Sequence, residues 1–267
     1  MAKRGRDTER VTPPHRVLLV GALGKMGERV SAVLADQTEL RLVAALEASG
    51  HPGLGSEIAQ GVAVGDDVKA ALAKCDIVID FSLPAATLAT LRAAADAGVA
   101  YVTGTTGLSA EEEQELAALA ARIPIIHAPN FSLSVNVLVW LTREAARRLG
   151  PGYDAELFEI HHAAKRDAPS GTALQLARAV ALGRGQELEG RLLLAREGET
   201  GPRPAGTIAV QTLRGGDNPG EHTVFFVGRG ERLELAHRAQ SRDHFASGAV
   251  RAAAWLVGRE PGLYPLE

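Results

Sequence analysis

The chain has one cysteine, Cys75, in 267 residues. A single thiol excludes an intrachain disulfide framework and a cysteine-cluster metal site. A basic excess is also absent: 29 Lys and Arg stand against 32 Asp and Glu, a formal net charge of −3. That balance argues against a general nucleic-acid binder. No apolar run approaches the ~20 residues of a membrane-spanning helix. Residues 1–14 carry Lys3, Arg4, Arg6, Arg10, Pro13 and Pro14 but no apolar segment of the kind a secretory leader needs. They are expected to form a polar tail, and the protein is expected in the cytoplasm. The sequence contains no internal repeat and no low-complexity tract.

What is present is core material. The chain is 46% hydrophobic, which excludes disorder for its bulk, and its length allows between one and two domains of about 150 residues. Short apolar runs at 17–20, 42–46, 77–81, 100–102 and 123–126 read as buried parallel strands. Amphipathic stretches lie between them. Ser109 with Glu112 forms a capping box ahead of Leu116, Leu119 and Ile123 at helical spacing, and Pro84 and Gly98 bracket another helix. Strands separated by such helices imply right-handed crossovers and a Rossmann-like doubly wound parallel sheet.

After Asn130 a long helix, 135–149, ends at Gly150 and Pro151, and the pattern changes. Residues 153–161, 207–214, 221–227 and 231–238 have period-2 character, and Gly228-Arg229-Gly230 reads as a hairpin connection. A second α+β domain with a largely antiparallel open sheet is predicted. Phe225 and Val227 alternate with Val224 and Phe226, so both faces of that sheet are apolar. Burial against another subunit would cover the second face. Spacing alone leaves open which domain the last helix, 245–256, covers.

Gly21-Ala22-Leu23-Gly24-Lys25-Met26-Gly27 stands between the first strand and the first helix. Glycines there permit a tight turn and let backbone amides approach a pyrophosphate. The spacing is one residue off the usual dinucleotide fingerprint, and such a turn also occurs for purely structural reasons. Glu47, about 20 residues further on at the end of the second strand, suits ribose hydroxyls. Phe81-Ser82, residues 103–107 and residues 127–131 are further small or polar segments at the carboxyl edge of the sheet, where open α/β folds bind ligands.

The densest chemistry runs from Glu159 through His161, His162, Lys165, Arg166, Asp167 and Pro169 to Ser170, Gly171 and Thr172, ahead of a helix over 173–182. Either Ser170 or Thr172 can cap that helix, Thr172 with Gln175 as a box. A helix start beside cations and imidazoles suits a small carboxylate-bearing substrate, and His is the usual proton-transfer group near neutral pH. Neighbouring His161 and His162 serve one site only if the strand ends there. No third ligand at metal spacing accompanies them.

Glu159 through Ala173 is similar to the signature E-x-H-H-x-x-K-x-D-A-P-S-G-T-A of the 4-hydroxy-tetrahydrodipicolinate reductase (dihydrodipicolinate reductase) family. Gly104-Thr105-Thr106-Gly107, Asn130-Phe131-Ser132, Arg196-Glu197-Gly198 with Thr200-Gly201, and Gly220-Glu221-His222 also resemble family motifs. The resemblance spans about residues 16–263. It implies reduction of a cyclic imine dicarboxylate, derived from 4-hydroxy-tetrahydrodipicolinate, by NADH or NADPH in lysine and diaminopimelate biosynthesis. By position, His161 resembles the family's acid/base residue and Lys165 its proton donor, while His162, Gly171 and Thr172 match substrate-binding positions. Gly21, Ala22, Leu23, Gly24, Lys25, Met26, Glu47, Gly104, Thr105, Thr106, Ala128, Pro129, Asn130 and Phe131 match cofactor-binding segments. The family fold implies a dinucleotide-binding domain of residues 15–131 and 241–267, a substrate-binding and oligomerisation domain of residues 132–240, and a homotetramer. Many members carry Arg directly after the Glu47 position, where Ala48 stands here. Two alternatives are a non-catalytic NAD(H)-sensing regulator and a dehydrogenase of another small carboxylate. The regulator would need no His161, Lys165 or Pro169-Ser170-Gly171-Thr172 segment, and the second-domain signature argues against both alternatives.

Overall fold

The computed structural model describes residues 13–266. The expected tail, 1–14, therefore lies almost wholly outside the described residues. The chain divides into two compact units: the described residues up to Phe131 together with Phe245–Leu266, and Ser132–His244.

In the first unit the strands are β1 (His15–Val20), β2 (Leu40–Leu46), β3 (Glu57–Ala59), β4 (Val62–Gly65), β5 (Ile77–Asp80), β6 (Ala100–Thr103) and β7 (Pro124–His127). The helices are α1 (Lys25–Ala35), α2 (Val68–Leu72), α3 (Pro84–Ala97) and α4 (Ala110–Leu119). From the end of the chain come α7 (Asp243–Leu256) and β13 (Gly262–Tyr264). The sheet order is β13-β7-β6-β5-β1-β2-β4-β3, parallel throughout except for β3 against β4. The apolar runs are continuous because each strand is buried on both faces. Val17, Leu19, Ile77, Ile79 and Val102 pack against Val30 and Leu34 of α1 and against Ala249, Val250 and Ala253 of α7. Their neighbours Leu18, Val20, Val78 and Tyr101 face α3 and α4 through Leu91, Ala94 and Leu116. The last helix thus covers the first sheet. The Ser109–Glu112 box closes in both directions, at 2.7 and 3.2 Å. Its helix stops at Leu119, however, so Ile123 belongs to the approach to β7 rather than to α4. The short elements β3, β4, α2 and β13 are additions to the expected pattern.

The second unit holds α5 (Leu133–Leu149), β8 (Asp154–His161), α6 (Gly171–Gly183), β9 (Leu192–Leu193), β10 (Ile208–Arg214), β11 (Glu221–Val227) and β12 (Arg232–Arg238). Sheet order is β12-β11-β8-β10-β9. The ladders of β11 with β8 and β12 are antiparallel over seven pairs each, while β10 runs parallel to β8 over seven and to β9 over two. Antiparallel pairing dominates, with a parallel flank added by the crossover through α6. Helices α5 and α6 cover one face, burying Leu157, Val210, Val224 and Phe226 against Leu138, Leu176 and Val180. On the other face Arg196 and Arg203 fold onto Glu156 at 2.7 Å each. Leu213 and Val227 on that face remain exposed. Among the described residues no helix is long and apolar enough to cross a membrane.

Candidate active site

In the first unit β1 ends at Val20 and the chain turns on Gly21, at φ +73°, where a Cβ would stand 3.0 Å from the Phe81 carbonyl oxygen. Gly21 and Ala22 donate their amides to the Leu46 carbonyl at 3.0 and 3.1 Å. This pins the turn to the end of β2. Gly24 is the N-cap of α1 and supplies no side-chain acceptor, so Lys25 and Met26 begin a helix whose first amides no cap side chain engages. Gly27 is required by packing, since a Cβ there would lie 2.2 Å from Gly21 O. Glu47 reaches back across the turn. Its carboxylate accepts from the amides of Leu23 at 3.1 Å and Ala48 at 3.2 Å. An uncapped helix start, a left-handed glycine and a carboxylate at the second strand end together fit a dinucleotide.

Gly104 follows β6, and the Phe81 ring fills the space a Cβ would take, 2.1 Å away. A buried polar network fixes these strand ends. Tyr101 donates its hydroxyl to Asp80 at 2.8 Å, the Ser82 amide donates to the same carboxylate at 2.8 Å, and Thr87 donates to Thr105 Oγ1 at 2.7 Å. Burial pushes the Asp80 carboxyl up, against the opposing pull of its hydrogen bonds from Ser82, Thr87 and Tyr101. The Thr105 carbonyl meets His127 Nε2 at 3.1 Å, and Thr106 beyond it is exposed. Ala128 is tied to Thr103 O at 3.1 Å, Pro129 is exposed, and Asn130 is half-buried. The Phe131 side chain is buried in the core and meets Phe81 edge to face at 5.7 Å. Of that segment the side chain of Phe131 therefore serves packing.

In the second unit β8 ends at His161, which releases His162 from strand alternation. Its amide is held by the Asn218 carbonyl at 2.9 Å, and its ring lies near Arg242. Lys165 turns back onto the His162 carbonyl and pairs with Asp167 at 2.9 Å. Ser170, not Thr172, is the N-cap of α6, its Oγ accepting from Ala173 N at 3.2 Å. Gly171 and Thr172 are consequently the first two helical residues, and open space surrounds the Gly171 Cα where a side chain would stand.

Glu159 organises this cluster. It is fully buried, and its Oε2 accepts from His161 Nδ1 at 2.6 Å and from Arg214 at 2.8 Å. Oε1 accepts from the Ser170 amide at 3.0 Å, Thr212 Oγ1 at 3.1 Å and Arg214 Nη2 at 2.9 Å. Burial alone would raise its pKa, but the hydrogen bonds from His161, Arg214 and Ser170 outweigh that and hold it down to about 2. A carboxylate on Nδ1–H leaves Nε2 as the nitrogen that exchanges protons. Gly220 keeps room for it, since a Cβ there would lie 2.8 Å from His161 Nε2. His222 stands beside His161, ring centroids 5.1 Å apart.

Two family models match almost end to end. They are "Dihydrodipicolinate reductase, N-terminus" over residues 15–131 and "Dihydrodipicolinate reductase, C-terminus" over residues 134–267. The chain belongs to the dihydrodipicolinate reductase family. A 4-hydroxy-tetrahydrodipicolinate reductase from Desulfotalea psychrophila is 48% identical over 94% of this chain and 96% of its own length. One from an Anaeromyxobacter species is also 48% identical, over 94% and 95%. A dipicolinate-bound dihydrodipicolinate reductase structure from a Paenisporosarcina species has a TM-score of 0.76 at 27% identity, covering 94% of this chain and 97% of that one. GenD2 in complex with NAD, at TM-score 0.62 and 16% identity over 97% and 89%, shares the fold alone.

Within this dihydrodipicolinate reductase scaffold, Glu159, Ser170, Arg214 and His222 were not singled out as site residues from sequence. Glu159 was findable, because residues two apart on a strand share a face and Glu159 precedes His161 by two. His222 stood in the Gly220-Glu221-His222 motif with no role assigned to it, and Arg214 carried no local signal.

Proposed function

We propose that the chain is an NAD(P)H-dependent oxidoreductase that reduces 4-hydroxy-tetrahydrodipicolinate, through the dihydrodipicolinate imine, to tetrahydrodipicolinate in lysine and diaminopimelate biosynthesis. The observation that carries this reading is that one buried carboxylate, Glu159, holds both the His161 imidazole and the first amide ahead of α6. A proton-exchanging nitrogen is thereby tied to a helix start that attracts carboxylates.

The first unit binds the nucleotide through the Gly21–Met26 turn, Glu47, Gly104–Thr106 and the backbone of Ala128–Phe131. When bound, the nucleotide supplies the hydride. In the second unit Gly171 and Thr172 present first-turn amides to one substrate carboxylate, and His162 contributes a further polar contact. Lys165 gives the ring nitrogen its proton as hydride adds to the conjugated imine and electrons move onto that nitrogen, and Asp167 steadies the ammonium beforehand. His161 Nε2 serves as acid/base, its charged form stabilised by Glu159.

A homotetramer in the cytoplasm completes the proposal. Its support is the outer face of the second sheet, where Phe158, Ile160, Leu213, Phe225 and Val227 form an apolar surface that α5 and α6 do not cover.

The deciding experiment is NADH oxidation on freshly generated 4-hydroxy-tetrahydrodipicolinate. Binding of NADH with no loss of its absorbance in the presence of substrate would favour the nucleotide-sensing alternative and overturn the reductase reading.

A further inference from the structure

We propose that His222 is a positioning residue whose Nε2–H donates to Ser170 Oγ, so that the Ser170 hydroxyl proton is directed to the carboxylate bound at the start of α6. The proposal rests on the reading of that helix start as a carboxylate site.

The two residues are 52 apart in sequence, and Ser170 Oγ lies 3.0 Å from His222 Nε2. Both are shut away from water, Ser170 at 2% exposure and His222 at 4%. His222 is opposite Glu159 in the β8–β11 ladder, so it faces α6 from the inner side of the sheet.

A serine hydroxyl has two acceptor positions and one proton. One acceptor position is filled by Ala173 N–H, the capping bond. The bond to His222 can run either way. If Ser170 donated, the proton of the uncharged ring would sit on Nδ1, a buried nitrogen with no hydrogen-bond partner among the described residues. A buried donor without an acceptor costs about 1–3 kcal/mol. Such donors are rarer in folded proteins than under-used acceptors. With the proton on Nε2 the second acceptor position of Ser170 is filled and the unpaired donor is instead the Ser170 O–H, which a carboxylate bound at the start of α6 would accept, whereas no group among the described residues faces Nδ1. Carboxylate binding therefore selects the proton on Nε2. What remains to Ser170 is its own O–H, held at the head of the helix beside the amides of Gly171 and Thr172.

Burial and the charge of neighbouring His161 push His222 down to about 3, so the ring stays uncharged through the neutral range. An uncharged ring can hold Ser170 without itself capturing the substrate anion. His161 does the proton transfer, and His222 orients a donor.

The test is calorimetric binding of pyridine-2,6-dicarboxylate to the NADH-loaded enzyme, with NADH affinity measured separately. His222→Phe is expected to weaken the dicarboxylate about tenfold, the worth of one hydrogen bond to a charged group. His222→Gln, which keeps an N–H near the Nε2 position, should recover most of the loss. Ser170→Ala should show a comparable loss, and adding His222→Phe to it should cost nothing more. NADH affinity should be unchanged throughout. Wild-type binding by His222→Phe, or losses that multiply in the double variant, would overturn the proposal while leaving the carboxylate site standing. A wild-type enzyme that fails to bind the dicarboxylate overturns both. Should His222→Phe not fold, ¹⁵N NMR of the histidine-labelled wild type with the dicarboxylate bound decides: a proton on Nε2 supports the assignment and one on Nδ1 refutes it.

Discussion

Glu159 and His161 sit on the same face of one strand, with the carboxylate on Nδ1 at 2.6 Å. The short span leaves the pair little freedom. Arg214, bonded to both carboxylate oxygens, keeps Glu159 from rotating away. His161→Ala is expected to lower kcat by roughly 10²- to 10⁴-fold, the usual contribution of a positioned acid or base, with little change in NADH affinity. Glu159→Gln keeps the shape but removes the charge that stabilises the imidazolium, so it should lower kcat by a smaller factor. Steady-state kinetics on folded protein checks both, and near wild-type kcat for His161→Ala would refute the assignment.

Lys165 is expected to hold a substrate carboxylate as well as to donate a proton. Lys165→Ala should then weaken inhibition by pyridine-2,6-dicarboxylate as well as slowing turnover. Equal inhibition constants for the two proteins would place the basic loop outside the site.

Acid should destabilise the enzyme in two stages. His222 takes up its proton below about 6.5 in the unfolded chain but only near 3 when folded. The unfolded state binds more protons in that window, so stability falls as the pH is lowered through it, by up to about 1.4 kcal/mol per pH unit. Glu159, normally titrating at 4.5, is held at about 2, and its stabilisation is lost as the pH falls between those values. Urea denaturation followed by circular dichroism at a series of pH values should show a flatter profile above pH 5 for His222→Gln. Identical profiles would contradict the buried, uncharged ring.

NADH should serve at least as well as NADPH. Glu47 favours free ribose hydroxyls and repels a 2′-phosphate, and exposed Ala48 offers no guanidinium in compensation. Lys25, at the first position of α1, is the one cation within residues 21–27. Lys25→Ala is therefore expected to weaken NADPH more than NADH. The measurement is kcat/KM for both nucleotides at about 0.15 M salt. NADPH ahead by more than about tenfold, or about 1.4 kcal/mol, would show that a cation outweighs Glu47.

The apolar outer face of the second sheet should be buried between subunits. Light scattering is expected to give a tetramer, and Leu213→Asp with Val227→Asp should shift it towards smaller species. A stable wild-type monomer at micromolar concentration would contradict the assignment.

The two-layer packing of the first sheet was legible in the sequence because strands buried on both faces leave continuous apolar runs. The glycine turn was legible too, since Gly21 needs positive φ and Gly27 needs an absent side chain. The end of β8 at His161 could only be posed as a condition from alternation, and the loop bonds of His162 and Ala163 to Asn218 and Gly216 met it. That the Phe131 ring turns inward onto Phe81 was not legible, because a motif position near a ligand edge does not say which way its side chain points. Thr172 and Ser170 were equal candidates for the cap until the chain path into α6 selected Ser170.

The sequence by itself determined the fold class, the change of grammar between two units and the glycine turn after β1, because each is written in local spacing, and it pointed to the segment from Glu159 to Thr172 now proposed to carry the chemistry. Only the tertiary structure decided who completes the site. Arg214 is 55 residues from Glu159 and His222 is 52 from Ser170. They arrive because β8 lies between β10 and β11 in registers that set Arg214 against His161 and His222 against Glu159. Strand order and register are long-range properties, fixed by which apolar faces pack together, and no local pattern in the chain states them.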